Sequence, residues 1–314
     1  MNQGAIRGTC KTAREAFDRF LKKDVSGKRS GKPRKKSLRN KVTSISYWQA
    51  SAIKKPKERK VNVPGFGKIR CSKNEMPEGK IQGGRLVKRA SGYYFQFIID
   101  IKHVQETLLN APEVGIDPGF KTLLTLSDGS KFENPRELHK TEERLAQAQR
   151  GKNKKLTARI QERLKNQRKD RNHKISHKIV KNYSEIYASD DSFKGMQKTF
   201  GKSVGEAALG NLLEMISYKA LSSGRKFVRV NSKNTTRTCS VCLALTGPTG
   251  LSGLAVRKWT CSCGARHDRD VNAAQVVLLS GHGMPAVEKI YPEPKRYAKA
   301  PGLSTIKWTI RSPL

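Results

Sequence analysis

Two closely spaced cysteine pairs constrain the folding of this chain more than any other feature. Cys239 and Cys242 form a C-x-x-C pair, and Cys261 and Cys263 form a C-x-C pair 18 residues later. Four thiolates suit tetrahedral Zn²⁺, with bonds of about 2.3 Å, and any loop can supply them. This spacing predicts a zinc ribbon, although the shorter second pair requires a tighter turn, and buried free thiols are the alternative. Because four sulfurs leave no open coordination position, we expect structural rather than catalytic zinc.

The chain is strongly basic. Its 314 residues include 64 Lys and Arg against 26 Asp and Glu, which gives a formal net charge of +38. A charge of this sign and size recruits polyphosphate, so nucleic acid is the expected partner. A basic structural protein, such as a ribosomal component, would share that partner without the activity. We expect no membrane role, because no long apolar span or amphipathic basic anchor is present.

The N-terminus and the remaining cysteines indicate the compartment. The first residues open no apolar stretch, so no signal peptide is expected. Cys10 and Cys71 are isolated and far apart, which does not suit a disulfide framework. A reducing, cytoplasmic compartment with thiols on metal is the interpretation that fits.

The first third of the chain predicts a helix, a basic arm and a strand-rich module. A short helix is predicted over Thr12–Lys23, and ten Lys or Arg residues then face one acid between Lys22 and Lys41. Such an arm is either solvated or bound to phosphates. Turn signals and alternation predict strands at Lys60–Val63, Lys68–Cys71, Arg85–Arg89 and Tyr93–Lys102. They predict a small β-barrel-like module whose aromatic side chains form the core rather than stack on bases.

The rest of the chain alternates strands with helices. A buried strand is predicted to end at Asp117, and residues 137–182 read as basic helices with a narrow apolar stripe. Further elements are predicted as a strand at Glu185–Ala188, a long helix at Ser203–Ser222, a strand at Phe227–Val230 and a last helix after Asp270. The tail from Pro285 is predicted to be poorly ordered.

Carboxylates from distant chain positions are the candidate chemistry. Two Mg²⁺ ions about 4 Å apart require hard, anionic oxygens that leave room for a phosphodiester. Asp117, between an apolar strand and a Pro-Gly turn, and Asp270, between the cysteine ribbon and a helix, are the obvious pair. Judged only from its neighbours in the sequence, Asp117 could instead cap a turn, and Asp270 could be the N-cap of the last helix.

Three segments, taken together in their chain order, favour the metal-binding role of these two aspartates over the capping roles. They are Gly115–Gly119, His173–Val180 and His267–Ala274, and together they resemble the transposon-encoded TnpB family of RNA-guided nucleases, which are related to the type V CRISPR effectors. The resemblance covers roughly residues 15–283. It implies a mixed α/β fold, with a RuvC-like, RNase H-type nuclease domain carrying a zinc-ribbon insert and preceded by a small wedge β-barrel with a short helical segment. It also implies a guide RNA, matched target DNA and catalytic Mg²⁺, with Asp117 as the first catalytic carboxylate and Asp270 as the third.

The resemblance divides the chain into six regions. We expect the end of a helical recognition region and the basic arm at 1–42, the wedge-like barrel at 43–110, the first part of the nuclease domain at 111–232, the zinc-ribbon insert at 233–266, the last part of the nuclease domain at 267–284 and a disordered tail at 285–314.

Two departures from the family pattern leave alternatives open. Ser189 stands where the family's second acid, a Glu, is expected; Asp190 or Asp191 could enter the site, or Glu206 on the following helix could supply the oxygen. We also expect the chain to begin inside the recognition region, without the family's first strand and leading helices. The leading hypothesis is an RNA-guided, Mg²⁺-dependent DNA endonuclease. The alternatives are a guide-directed DNA-binding protein with weak or no cleavage, and a truncated remnant that binds nucleic acid nonspecifically. The oligomeric state stays open, with a homodimer as one option.

Overall fold

The computed structural model of the chain describes residues 3–23, 27, 29–34, 43–48, 53–72, 76–102, 111–253, 255–283, 289–290 and 303–312. These belong to two units, residues 1–103 with 300–314 and residues 104–299. About half of the predicted basic arm and most of the predicted tail lie outside the described residues. No helix in the described ranges combines the length and the apolar character needed to cross a bilayer.

Helices and strands cover most of the described chain. The helices are α1 (Gln3–Leu21), α2 (Glu137–Arg150), α3 (Lys154–Asn182), α4 (Phe193–Ala207), α5 (Leu209–Ser222), α6 (Gly250–Gly253) and α7 (Arg269–Gly281). The strands are β1 (Ser44–Tyr47), β2 (Lys60–Val63), β3 (Gly67–Arg70), β4 (Lys80–Arg89), β5 (Gly92–Lys102), β6 (Val114–Pro118), β7 (Thr122–Leu126), β8 (Lys131–Glu133), β9 (Glu185–Ser189), β10 (Lys226–Val230), β11 (Lys258–Thr260), β12 (Arg266–Asp268), β13 (Lys289–Ile290) and β14 (Leu303–Ser312).

The first unit is built on an antiparallel sheet of order β1-β4-β5-β14, and β2 and β3 form a separate hairpin. The alternation in β5 buries Phe95, Phe97 and Ile99, which join Tyr47 and other apolar side chains in one core. The four predicted strands are confirmed, and so is the assignment of these two phenylalanines to the core. Closure of the sheet into a wedge-like barrel stays a prediction.

Two elements of the first unit differ from the sequence prediction. α1 begins at Gln3 rather than at Thr12. The additional part of the helix approaches β1 through Gly8, where a Cβ would collide with the carbonyl oxygen of Ser46. A contact made by glycine leaves no apolar periodicity to detect. Part of the predicted disordered tail forms β14, which pairs antiparallel with the outer edge of β5. An open sheet edge offers unpaired N–H and C=O groups that can recruit such a segment.

The second unit has a six-stranded mixed sheet of order β13-β10-β9-β6-β7-β8. β6, β9 and β10 are mutually parallel neighbours, while β7, β8 and β13 pair antiparallel. Parallel neighbours require crossover connections, which the helices between β8 and β9 and between β9 and β10 provide. The predicted mixed α/β class is confirmed.

Helices cover both faces of this sheet. α3 and α5 bury one face, where Ile179, Leu212 and Ile216 pack on Ile116 and Ile186. α7 covers the other face. There its Val277 packs with Tyr187, Val228 and Val230 from the strands. Residues facing α7 therefore alternate along each strand with residues facing α3 and α5.

The remaining helices form two pairs. α2 and α3 pack through Leu145, Ala148, Ile160 and Leu164, which confirms the predicted basic helices with a narrow apolar stripe. The predicted long helix at Ser203–Ser222 is instead part of α4 and all of α5. The two helices are separated by Ala208, whose φ of 51° is left-handed. A left-handed residue ends the hydrogen-bonded helix while the apolar pattern continues past it.

Candidate functional site

The carboxyl ends of parallel strands meet at one edge of the second sheet. In open α/β sheets, ligand-binding side chains collect at this edge. Asp117 lies one residue before the end of β6, and Asp190 and Asp191 directly follow β9. Acidic side chains from distant chain positions are therefore gathered at the ends of two neighbouring strands.

Gly115 allows α7 to lie directly across β6. A Cβ at this position would collide with the carbonyl oxygen of Ala274 and lie 2.8 Å from the backbone nitrogen of Leu278. Because side chains alternate along a strand, Asp117 faces the same side of the sheet as Gly115. Asp270 lies in the first turn of α7, four residues before Ala274. The close approach of helix and strand thus places Asp117 and Asp270 on the same side of the sheet.

Asp268, not Asp270, is the N-cap of α7. Its carboxylate accepts hydrogen bonds from the backbone N–H groups of Asp270 (3.1 Å) and Val271 (3.2 Å). Asp268 has the extended backbone conformation that an N-cap residue requires, which corrects the local reading of Asp270 as the cap. Asp268 also pairs with Lys131 of β8 at 2.9 Å. The carboxylate of Asp270 is therefore not used for capping and instead lies 3.1 Å from the guanidinium of Arg257.

The electrostatics of Asp117 show which acids surround it. Burial raises the pKa of Asp117 well above its ordinary value, and the negative charges of Asp191 and Asp270 raise it further. The nearby Arg269 acts in the opposite direction. Asp191 and Asp270 are thus each close enough to Asp117 to repel its carboxylate, and a cation bound there would relieve this repulsion.

The two acids after β9 have different partners. Asp190 faces Arg229 of β10 at 3.5 Å, and its backbone N–H donates to the carbonyl of Val230. Asp191 accepts a 2.6 Å hydrogen bond from the hydroxyl of Ser189, which is fully buried at the end of β9. Of the two residues that the sequence offered, Asp190 forms the ion pair with Arg229, whereas Asp191 is held by Ser189 and acts electrostatically on both Asp117 and Arg229.

Glu206 is engaged elsewhere. Its carboxylate accepts a 3.3 Å hydrogen bond from the backbone N–H of His139 in α2 and attracts the guanidinium of Arg171 in α3. Arg171 is itself paired with Glu137 at 2.9 Å. These contacts connect the end of α4 to α2 and α3. They occupy the carboxylate that the sequence analysis named as an alternative source of the second acid.

The four ribbon cysteines converge as the sequence predicts. Their sulfur atoms all lie within 4.8 Å of one another, with Cys239 and Cys263 at 3.8 Å and Cys242 and Cys261 at 3.5 Å. A zinc tetrahedron with bonds of about 2.3 Å has sulfur edges of about 3.8 Å, so the cluster fits this ion. The Thr246 hydroxyl, 3.0 Å from the sulfur of Cys261, lowers the pKa of that thiol and so favours the thiolate that binds metal.

The cysteine cluster is tighter than the carboxylate cluster. Among the described residues, it is the one set of three or more potential metal ligands whose atoms all lie within 4.8 Å of one another. Asp117, Asp191 and Asp270 are therefore more widely spaced.

Asn272 connects the cysteine ribbon to the edge of the sheet where Asp117, Asp191 and Asp270 lie, which we call the carboxylate edge. The sequence prediction missed this role. Its side chain accepts from the backbone N–H of Ser240 (2.9 Å) and donates to the carbonyl of Thr238 (2.7 Å). Both partners flank Cys239, while Asn272 lies two residues after Asp270. The available sequence signal was an amide side chain within the apolar run that follows Asp270, because a buried amide must find hydrogen-bond partners. In the structure, this side chain is fully buried.

The α2–α3 hairpin presents a basic surface. Lys155, Arg159 and Arg163 of α3 recur every four residues and are exposed, while Ile160 and Leu164 beside them are buried. This spacing gives a row of cations along one side of the helix, which can follow a sugar-phosphate backbone.

Two family models match parts of the chain. The model described as "Probable transposase" matches residues 96–198, and the model described as "Cas12f1-like, TNB domain" matches residues 210–277. The first match includes Asp117 and Asp191, and the second includes the four cysteines and Asp270. Together, the two models thus cover all three acids and all four cysteines.

Curated relatives cover more of the chain. A protein from Streptomyces pristinaespiralis, named "Putative RNA-guided DNA endonuclease", is 30% identical over 222 residues, which are 65% of this chain and 54% of the relative. The Escherichia coli protein with the same name and the further designation InsQ is 23% identical over 310 residues, covering 89% of this chain and 74% of the relative. The chain thus spans about half the length of the Streptomyces relative.

Solved structures of Cas12f also align with the chain. A cryo-EM structure of a Cas12f1-sgRNA-target DNA complex matches with 15% identity and a TM-score of 0.48, covering 69% of this chain and 50% of the solved one. A CRISPR-Cas12f ternary complex matches with 15% identity and a TM-score of 0.43.

Proposed function

Because the chain belongs to the TnpB family of transposon-encoded RNA-guided nucleases, we propose that it is an RNA-guided DNA endonuclease that hydrolyses guide-matched DNA with Mg²⁺. The observation that carries the proposal is the packing of α7 across β6 at Gly115, which brings Asp117 and Asp270 to one side of the sheet although 152 residues separate them along the chain. Two acids on opposite sides of the unit would have excluded it.

The carboxylate edge fits Mg²⁺ by its chemistry. Asp117 and Asp270 offer hard anionic oxygens, and burial together with repulsion from neighbouring acids raises the pKa of Asp117, as expected where a divalent cation is favoured. When bound there, Mg²⁺ supplies Lewis-acid stabilisation of a phosphodiester and lowers the pKa of bound water. The chain's own part is to hold both carboxylates rigidly, Asp117 through the buried strand β6 and Asp270 through the capped first turn of α7.

The sheet order supports an RNase H-type nuclease domain. β6 is central, β7 and β8 follow it antiparallel on one side, and β9 and β10 lie parallel to it on the other. The ribbon is inserted between β10 and α7, so that zinc bound by its four cysteines would stabilise the segment that leads to Asp270.

The basic surface supports the proposed nucleic-acid partners. We assign the exposed cations of α3 to backbone contacts with the guide RNA or the guide-target duplex, while sequence is read by base pairing. The Streptomyces and Escherichia coli relatives are both named as RNA-guided DNA endonucleases, which supports both partners.

A second candidate is a guide-directed DNA-binding protein with little cleavage. The observation that favours it is Ser189, a neutral residue at the buried end of β9, where the resemblance implies the family's second acid, a Glu. Without a third carboxylate, metal would be held weakly, whereas nucleic-acid binding would remain because it depends on the basic surface.

One experiment separates these candidates. The protein purified with its native RNA is mixed with guide-matched or scrambled DNA and Mg²⁺, and binding and cutting are measured on the same samples. Cuts in matched DNA that disappear in Asp117→Ala support the endonuclease. Protection of matched DNA without cuts supports the binding protein, and equal binding to both DNAs contradicts both.

A further inference from the structure

We propose that Asp191 joins Asp117 and Asp270 as a metal-holding carboxylate of this site, in place of the second acid expected at Ser189, and that Ser189 is a positioning residue that holds Asp191 toward Asp117. The inference rests on the proposed nuclease function and names a residue pair that completes its site.

The first argument is register. β6 and β9 are parallel, with Gly115 opposite Tyr187 and Ile116 opposite Ala188. The next residue on each strand is Asp117 and Ser189, respectively. Tyr187 contacts Gly281 of α7, so alternation places Ser189 on the α7 side, which Asp117 also faces.

The second argument is the chemistry of serine at this position. A hydroxyl is neutral and cannot replace an anionic metal ligand, but it donates a hydrogen bond. Ser189 donates to Oδ2 of Asp191 at 2.6 Å, within the range of a charge-assisted bond. Because Ser189 is fully buried on a rigid strand, the bond fixes the carboxylate of Asp191, which is two residues farther along the chain.

The third argument is the surroundings of Asp191. Its carboxylate is held at the carboxyl end of β9, the strand that pairs in parallel with β6, which carries Asp117. Its second oxygen, Oδ1, has no hydrogen bond or ion pair to a residue in the described ranges. The carboxylate is thus anchored by one oxygen and leaves the other available to a cation, for which the charge of Arg229 competes.

The other acids near β9 are committed elsewhere. Asp190 is 40% exposed at its side chain and faces Arg229 of β10. Glu206 accepts from the backbone of α2 and attracts Arg171. Asp191 is thus the acid after β9 that lies beside Asp117 and is held there by a buried donor.

The cleavage test uses the protein with its native RNA, matched DNA and Mg²⁺. Asp191→Asn is expected to reduce the cleavage rate on the order of 100-fold, since it removes a charge from the reacting centre. Asp190→Asn is the discriminating comparison, because it makes the same change one residue away. Asp191→Asn cutting like the unchanged protein while Asp117→Ala is inactive would overturn the inference and leave the proposed function intact, and so would a larger loss in Asp190→Asn.

The role of Ser189 needs its own variants. Ser189→Ala is expected to raise the Mg²⁺ concentration for half-maximal cleavage about 10-fold or more, because the carboxylate remains but loses its anchor. Ser189→Thr keeps a hydroxyl and is expected to retain the original Mg²⁺ requirement. In the double variant Ser189→Glu, Asp191→Asn, a carboxylate at the strand end is expected to restore much of the lost cleavage. An unchanged Mg²⁺ requirement in Ser189→Ala contradicts the positioning role.

A metal-binding measurement keeps the inference testable without cleavage. Mn²⁺ binding to the protein with its RNA is followed by calorimetry, and thermal unfolding verifies that each variant is folded. Asp191→Asn is expected to bind Mn²⁺ at least about 10-fold more weakly than the unchanged protein. Equal affinities would overturn the inference. If the unchanged protein binds Mn²⁺ but never cuts matched DNA, the proposed function fails, while weaker binding by Asp191→Asn still supports the role of Asp191.

Discussion

Arg257, directly before β11 of the ribbon, places a guanidinium nitrogen 3.1 Å from the carboxylate of Asp270 in the first turn of α7. The backbone strengthens this link, since the N–H of Arg269 donates to the carbonyl of Arg257 at 2.8 Å. The ribbon therefore contacts the carboxylate edge directly, through a cation that competes with any metal ion for Asp270.

Removal of that competing cation should strengthen metal binding. Arg257→Ala is expected to lower the Mg²⁺ concentration for half-maximal cleavage by up to about 5-fold, because a half-exposed ion pair contributes roughly 0.2–1 kcal/mol. The measurement is a Mg²⁺ titration of the RNA-bound protein. Arg266→Ala is a matched control, because this exposed ribbon arginine pairs with no acid in the described ranges. A higher Mg²⁺ requirement in Arg257→Ala would show that the arginine assists metal or substrate binding instead.

Asp117 is expected to destabilise the metal-free fold. A group whose folded-state pKa is raised favours the fold at low pH, and this contribution is lost as the pH rises through the folded-state pKa. Asp117→Asn should therefore raise the melting temperature of the metal-free protein at pH 7–8, and the gain should shrink as the pH falls toward the ordinary range of Asp. Each kcal/mol corresponds to about 2–4 °C for a unit of this size. Added Mg²⁺ should stabilise the unchanged protein more than the variant, and a variant that melts lower at neutral pH would contradict the repulsion at this edge.

The ribbon cysteines should act as one zinc site that also supports α7. Cys242→Ser is expected to lower bound zinc, measured by elemental analysis, well below one ion per chain and to abolish cleavage, because Asn272 links the ribbon to the helix that carries Asp270. Cys10→Ser, at an isolated and exposed cysteine, is the matched control and should keep both zinc and cleavage. Full zinc content in Cys242→Ser would remove this residue from the ligand set.

Much of the fold could be predicted from the sequence, because its signals are local. Alternation fixes β5, four-residue spacing fixes α3, and the cysteine spacing indicates the ribbon. The break at Ala208 was missed, since a left-handed alanine has no sequence mark. The pairing of β14 with β5 was also missed. It depends on an open edge of β5, which is paired by a segment distant from β5 along the chain.

The site was predictable only where a residue's own neighbours indicate its place. Asp117 lies at the end of an apolar strand and Asp270 in the first turn of a helix, so both could be named as candidates, and the resemblance to the TnpB family then favoured catalytic over capping roles. The choice between Asp190 and Asp191 could not be made, because it depends on the buried hydroxyl of Ser189 and on Arg229 from the next strand. Such cross-strand contacts become visible only when the register of β9 and β10 is known.

The contact of α7 with β6 should tolerate no side chain at residue 115. Gly115→Ala would drive a Cβ into the carbonyl of Ala274, and the helix that carries Asp270 would have to move. We expect a loss of at least about 2 kcal/mol in unfolding free energy and of most cleavage, as for other overpacked cores. Gly201→Ala in α4 is the matched control, since no atom lies within 4 Å of a Cβ there, and helix propensity should keep its effect near zero or stabilising. Denaturant unfolding of both variants measures the difference, and similar losses would exclude the contact as the cause.

The basic row of α3 should contribute affinity without sequence preference. Replacement of Lys155, Arg159 and Arg163 together by Ala removes three exposed cations on one side of the helix. If each contacts a phosphate, the slope of log affinity against log salt should decrease by about 2, at roughly 0.7 per contact for single-stranded RNA. Guide RNA and a scrambled RNA of equal length should lose affinity alike, because phosphates carry no sequence information. Gln161→Ala on the same helix is the control. An unchanged salt slope in the triple variant would locate the RNA-binding surface elsewhere.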